Sequence, residues 1–200
     1  MKLIFIGPQG SGKGTQAKII SKRLGIPHIS TGDLLRSATG KLREEIDSYI
    51  VKGNLLPDRN MLEVLREKLE QESCEKGFIL DGFPRNLEQA EMLDDIVAID
   101  KVIEIYISDD EAIMRLSGRV SCSECGRGYN LVTMPPKDGE KCDECGGKLV
   151  QRDDDKEKAI RKRLEIYHRE TEPMLKYYNA VRINGEQEIE WVTKEIISIL

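Results

Sequence analysis

The runs Leu3-Ile4-Phe5-Ile6, Phe78-Ile79-Leu80 and Val102–Ile107 are short, apolar and bounded by glycine or charge, as buried strands are. Between them lie longer segments with helical spacing. Met61, Leu62, Leu65 and Leu69 recur at helical intervals behind Asp58, which the pattern makes an N-cap. Ile113 and Leu116 follow Asp109-Asp110 in the same manner. This alternation predicts a parallel sheet covered by helices. From Arg119 to Asp155 the apolar period vanishes into Gly, Pro, Cys and charge, the pattern of a small inserted domain. Helical spacing resumes through Ile160, Leu164 and Tyr167. The chain closes with a strand at Val181-Arg182-Ile183, a turn at Asn184-Gly185 and an amphipathic helix running to near Leu200. No repeat or low-complexity tract interrupts it.

Composition narrows the function classes. With 200 residues, 39% of them hydrophobic, the chain can bury one sizeable core carrying inserted pieces. A formal charge of −5 argues against nucleic acid or a membrane surface as partner, though a local basic cleft can coexist with an acidic exterior. No apolar stretch approaches the ~20 residues that span a bilayer, and Met1-Lys2 leads directly into a strand, so the expectation is a cytoplasmic protein. Of the five cysteines, four stand in two Cys-x-x-Cys pairs, which points to metal in a reducing compartment, and Cys74 reads as an ordinary structural thiol. His28, beside a short strand, and His168, on a charged helix, read as structural rather than catalytic.

Residues 7–15 read Gly-Pro-Gln-Gly-Ser-Gly-Lys-Gly-Thr directly behind the first apolar run. A strand followed by a glycine loop and a helix is a phosphate cradle: glycines let backbone N–H groups turn around anionic oxygens, Lys13 adds a point charge, and the helix aims its positive end at them. Gly14 stands where the usual motif has its hydroxyl residue, and Thr15, one place later, offers that hydroxyl to a phosphate-bound magnesium ion. Phe78–Leu80 ends in Asp81, a carboxylate where nucleotide sites open in doubly wound sheets, placed to reach magnesium through water. Arg85 follows, its planar fork suited to bidentate phosphate contact. Arg36, Arg115, Arg119, Arg152 and Arg163 add positive charge, and in the run Arg161-Lys162-Arg163 helical geometry lets one or two members face a cleft. Cys122, Cys125, Cys142 and Cys145 form C-x₂-C-x₁₆-C-x₂-C, with glycine following each pair. Four thiolates fill a tetrahedral zinc sphere and leave no position for substrate, so the site reads as structural, and its metal supplies folding free energy that a coreless segment lacks.

Taken in order, these phrases resemble the adenylate kinases over essentially the whole chain. Gly7–Thr15 with Gln16 looks like their phosphate loop, and Ser30-Thr31-Gly32-Asp33-Leu34-Leu35-Arg36 like the entry to their monophosphate-binding domain. Asp81-Gly82-Phe83-Pro84-Arg85 with Gln89 looks like their AMP-gripping turn, while Gly118-Arg119 and Gln151–Asp155 look like the borders of their lid. The resemblance implies an α/β, P-loop NTPase-like parallel sheet flanked by helices. It implies a core of residues 1–29, 60–117 and 156–200, an AMP-binding domain at 30–59, and a lid of the long, zinc-bearing type at 118–155.

It further implies a phosphotransferase using Mg²⁺ with ATP and a structural Zn²⁺, taking ATP, AMP and ADP, and acting as a monomer. ATP would meet Gly10, Ser11, Gly12, Lys13, Gly14, Thr15, Arg115, Arg119, Gly128, Tyr129 and the backbone of Gln187. AMP would meet Thr31, Gly32, Arg36, Asn54, Leu55, Leu56, Gly82, Phe83, Pro84, Arg85, Gln89, Arg152 and Arg163. Lys13, Arg85, Arg119, Arg152 and Arg163 would serve the transfer itself. Two features depart from the pattern: Pro8-Gln9 inverts the usual order in the loop, and Asn86 is shared with the related UMP/CMP kinases. A kinase for one of those monophosphates is therefore the alternative within the class. A zinc-ribbon nucleic-acid binder with an ATP switch is the alternative outside it, and it leaves Asp81–Arg85 and Thr31–Arg36 without a role.

Overall fold

The computed structural model describes residues 1–37, 58–132, 134–151 and 155–200, with the side chains of residues 36–37 and 58–60 outside that description. Strand β1 (Lys2–Ile6) runs through the glycine loop into helix α1 (Lys13–Leu24), then β2 (His28–Ser30) and α2 (Thr31–Ser37). After α3 (Asp58–Leu69) come β3 (Phe78–Asp81), α4 (Leu87–Asp94), β4 (Lys101–Tyr106) and α5 (Asp109–Ser117). The inserted segment contributes β5 (Arg119–Cys122), β6 (Gly128–Asn130) and β7 (Leu149–Val150). Helix α6 (Glu157–Ile166) continues into a π-helical turn at Tyr167–Thr171, before α7 (Pro173–Tyr177), β8 (Val181–Asn184) and α8 (Ile189–Ser198) complete the chain.

The main sheet has the order β2-β3-β1-β4-β8, and every pair in it is parallel. The chain starts at β1, fills β2 and β3 on one side, then crosses to β4 and β8 on the other. Such a reversal opens a crevice at the carboxyl ends of the strands, where ligands of doubly wound sheets bind. The two-residue period of a strand sorts the apolar runs onto two faces. Ile4, Ile6, Phe78 and Leu80 pack with Phe83, Leu93 and Met174 on one. Leu3, Phe5, Ile79, Ile103 and Ile105 pack with Ile20, Val192 and Ile196 on the other. Glu104, the charge inside the third run, is buried because Arg182 Nε donates to it at 2.5 Å and the Tyr167 hydroxyl at 3.2 Å.

Helix ends differ in detail from the sequence reading. Asp109 and Asp110 lie in the first turn of α5, and the cap is Ser108, whose Oγ accepts from Glu111 N at 3.4 Å. Asp58 is the first residue of α3 rather than its cap. Asn86 caps α4 by accepting from Gln89 N at 2.8 Å, which gives this departure from the adenylate kinase pattern a local structural reason. The inserted segment forms a second, antiparallel sheet of order β6-β5-β7. Its core is small: Cys122, Tyr129 and Cys142, with Val120 and Leu149 against them.

Candidate active site

The loop after β1 turns at Gly7, Gly10 and Gly12, all with positive φ. At Gly7 the demand is absolute, since a Cβ there would lie 2.2 Å from the backbone oxygen of Ile105 on β4. The loop thus lies tight against the next strand and feeds α1, whose N-cap is Gly12 in the left-handed conformation. Inside the loop Lys13 Nζ donates to Gly7 O at 2.7 Å and to Pro8 O at 2.9 Å. Ser11 is buried, and its Oγ has no hydrogen-bond partner among the described residues. A buried, unpaired hydroxyl in a glycine loop at a helix N-terminus fits an anionic oxygen as its missing partner.

Burial lowers the Lys13 pKa to about 8; the Asp81 carboxylate opposes that fall, while Arg85, Arg163 and Arg119 deepen it. Four segments far apart in sequence therefore bring charge to one place. Asp81 ends β3 beside the loop: a Cβ on Gly14 would stand 3.3 Å from Asp81 Oδ2, so the glycine that displaces the expected hydroxyl leaves room for the carboxylate. Thr15 is exposed at the start of α1. A hydroxyl at Thr15 and a carboxylate at Asp81, beside the preceding Gly14, are oxygen donors of the kind magnesium on a bound polyphosphate takes.

The turn after β3 is held on both sides. Thr31 Oγ1 donates to Gly82 O at 2.9 Å, which ties the start of α2 to this turn. Arg85 Nε donates to Gly82 O at 2.7 Å, and the Arg85 carbonyl accepts from Thr171 Oγ1 at 2.7 Å. Gln89 is buried, and its Oε1 accepts from Arg85 N at 2.7 Å, which fixes the direction of its amide. Arg115 NH1 donates to Gly185 O at 3.0 Å and lies 3.5 Å from Gly10 O, while Glu111 accepts from its Nε at 2.6 Å; it bridges the phosphate loop and the turn after β8. Gln187 Nε2 donates to Asn184 O at 3.1 Å and Glu195 Oε1 at 3.0 Å, so its side chain braces the same turn.

Two residues in this crevice were given no site role from the sequence: Asp155 stood only as the end of the lid border, and His28 was read as structural. The Asp155 carboxylate is fully buried and accepts from Arg119 Nε at 2.7 Å and Arg119 NH2 at 2.6 Å, with Arg163 NH1 3.6 Å away. It joins Arg119, at the start of the inserted segment, to Arg163 on α6 beyond its end. His28 Nε2, on the neighbouring strand, lies 3.4 Å from Asp81 Oδ2. Within the run at 161–163, Arg161 faces outward to Glu157 and Arg163 turns inward. The Arg36 side chain and all of Asn54, Leu55, Leu56 and Arg152 lie outside the described residues, as does most of the segment 30–59.

The four ribbon cysteines converge as their spacing predicts. Their Sγ atoms all lie within 4.8 Å of one another, with Cys122 and Cys145 at 3.4 Å and Cys125 and Cys142 at 3.5 Å. Zinc–sulfur bonds of ~2.3 Å in a tetrahedron need sulfurs about 3.8 Å apart, so the cage fits that ion. The four thiols share protons unevenly: Cys122 lies below its ordinary range chiefly through the backbone N–H of Cys125, and Cys142 is pulled down to about 6 chiefly by the Tyr129 hydroxyl. Cys125 and Cys145, despite the backbone N–H groups of Arg127 and Gly147, are pushed up by the cysteines beside them. Tyr129 itself is buried in this ribbon core with its hydroxyl 3.4 Å from Cys142 Sγ, so its side chain belongs to the cysteine cage rather than to the phosphate loop.

Comparison with known proteins gives one answer. The chain matches the family described as adenylate kinase over residues 5–183. It is 48% identical to an adenylate kinase of Archaeoglobus fulgidus across 100% of this chain and 98% of that protein. An adenylate kinase of Methanocella arvoryzae is also 48% identical, covering 98% of this chain and 96% of its own length. One from Caldicellulosiruptor saccharolyticus is 45% identical over 100% of this chain and 99% of its own length.

Proposed function

This chain belongs to the adenylate kinase family, and we propose that it catalyses reversible phosphoryl transfer from Mg-ATP to AMP, giving two ADP. The observation that carries the reading is the meeting of Lys13, Arg85, Arg119 and Arg163 around one crevice, with Asp81 the carboxylate among them. Two polyanionic substrates repel one another, and a surplus of fixed cations offsets that repulsion where charge develops in transfer. In the step, an AMP phosphate oxygen attacks the γ-phosphorus of ATP. A bond to that oxygen forms while the bond to the β-phosphate oxygen breaks, and the leaving group is ADP. A phosphate dianion needs no base, so positioning and charge supply the catalysis.

The amides of Gly10–Thr15 and Lys13 would hold the ATP phosphates, Arg115 and Arg119 would approach them, and the backbones at Gly128-Tyr129 and Gln187 would line the nucleotide. Thr15 and, through water, Asp81 would hold magnesium, which supplies charge neutralisation on the phosphates when bound. Thr31, Gly32, Arg36, Asn54, Leu55, Leu56, Gly82–Arg85, Gln89, Arg152 and Arg163 would take AMP, with Gln89 reading the base. We assign 118–155 as a zinc-stabilised lid, 30–59 as the AMP-binding domain and the remainder as the core. Monomeric action is carried over from the family resemblance. The two Cys-x-x-Cys pairs, read as metal ligands, support a reducing, cytoplasmic setting, and no helix among the described residues is long and apolar enough to cross a membrane. The −5 charge supports nucleotides rather than nucleic acid or lipid as partners.

A coupled assay with Mg-ATP and AMP, CMP, UMP or GMP in turn tests the reaction. AMP should exceed the pyrimidine monophosphates by ~100-fold or more in kcat/KM, the discrimination a polar base-reading contact supports. Equal rates with CMP or UMP would move the assignment to another monophosphate, and absence of ADP with all four would overturn it.

A further inference from the structure

The ribbon contains one aromatic residue in its core, and that residue touches a metal ligand. Tyr129 is 3% exposed and packed with Cys122 and Cys142 between Val120 and Leu149. Its hydroxyl accepts from Asp143 N at 2.8 Å and lies 3.4 Å from Cys142 Sγ. The direction of the second contact follows from the first. A backbone N–H can only donate, so the phenol oxygen is the acceptor for Asp143, and its own proton must go to another atom. A metal-bound thiolate can only accept. Backbone N–H groups reach all four sulfurs, but among the described residues Tyr129 is the one side chain outside the cysteines that has a hydrogen-bond contact with any of them. The Arg127 guanidinium lies 5.4 Å from the Tyr129 ring centroid and pairs with Glu144, so the outer side of the ring is covered as well.

We infer that Tyr129 is the outer-sphere partner of the metal, its O–H donating to the Cys142 thiolate while the Asp143 amide holds the phenol in register. Four thiolates around a dication leave two net negative charges; Cys125 and Cys145 face solvent, whereas Cys142 is buried, so a proton donated there draws density from a sulfur that water does not reach and stabilises the whole centre. The same residue forms the β6 side of the Val120–Tyr129 pair, next to the pair of Arg119 with Asn130. Tyr129 therefore links the metal to the strand that carries a proposed catalytic arginine.

Tyr129→Phe tests this, since it keeps the ring and removes one oxygen. Zinc competition against a chromophoric chelator should show affinity weakened by about 10–100-fold, the usual loss when an outer-sphere partner is removed. In the Co²⁺-substituted protein the sulfur-to-metal charge-transfer band should move to lower energy, because a thiolate without its hydrogen bond donates more readily, while the d–d envelope stays tetrahedral. Unchanged affinity with an unmoved band would overturn the inference. Weaker affinity with an unmoved band would overturn it too, by assigning Tyr129 to packing alone.

Discussion

Lys13 is a cation held where cations are disfavoured. Its ammonium is enclosed by its own loop, and burial and three arginines bring its pKa from 10.5 to about 8. The charge serves the substrate and not the fold, so Lys13→Met should lower turnover by at least ~100-fold while the melting temperature stays level or rises. More than a tenth of the original turnover in steady-state assays would remove Lys13 from the phosphate site. Deprotonation acts the same way: in the free enzyme kcat/KM should decline as pH rises through about 8, and the decline in kcat should come at higher pH because bound phosphates favour the cation. A matching pH profile for both parameters would argue against it. Lys13, Asp81 and Arg85 were legible from sequence because each is announced by its own neighbours, a glycine loop or the end of an apolar run. Asp155 was not, because the residue that explains it, Arg119, lies 36 positions away.

Four core strands and the longer core helices were legible for a related reason, the strands as short, largely apolar runs and the helices as a repeating apolar spacing, whereas the short α4 and α7 carry too few apolar positions to announce themselves. The ribbon strands were not, since β5, β6 and β7 span four, three and two residues and are ordered by cysteines and Tyr129 rather than by alternation. Where the ribbon meets α6, Asp155 holds its two ends together. Asp155→Asn keeps the shape and removes the charge. Hydrogen bonds to charged groups contribute ~1.5–3 kcal/mol, and partial exposure of Arg119 puts the expected loss at the lower end, about 1.5 kcal/mol by urea unfolding. Turnover should fall further than stability suggests, because both Arg119 and Arg163 lose their anchor; full activity in the variant would reduce Asp155 to a packing role. A second clasp joins α5 to the π-helical turn, where His168 meets Glu172 at 2.8 Å and Asp109 at 2.9 Å. Hydrogen bonds to Glu172, then to Asp109, raise its pKa above 6.5. A raised folded value means that the clasp is fully present below the unfolded value and is lost as pH climbs through the folded one. The side chain is 43% exposed, so the effect should stay below ~1 kcal/mol. His168→Gln should flatten the decline in unfolding free energy from pH 6 upward, and an unchanged slope would assign that decline to other groups.

The fold joins two bodies of unequal means. The main sheet buries apolar side chains on both faces, whereas the ribbon's buried cluster is Cys122, Tyr129 and Cys142, two of which are themselves metal ligands. Removing the metal therefore removes the ribbon's core along with its cross-link. Structural zinc supplies ~10–16 kcal/mol of apparent binding free energy to small zinc modules, more than any contact left in this segment can replace. Replacing Cys122 and Cys125 together by Ser should release zinc, and calorimetry should resolve one transition into two, the ribbon melting first and the sheet near its original temperature. Lys13, Asp81 and Arg85 lie outside the ribbon, and a closed four-cysteine sphere offers no position to substrate, so phosphoryl transfer should persist at low temperature. As the ribbon loosens on heating, Arg119 loses the strand that presents it and its partner Asp155, and turnover should fall well below the melting point of the sheet. Metal analysis, calorimetry and rate against temperature on the same sample separate the outcomes. A zinc-free variant with unchanged melting and unchanged rates would show that the ribbon stands without its metal, and a folded variant inactive at every temperature would give the metal a part in the chemistry.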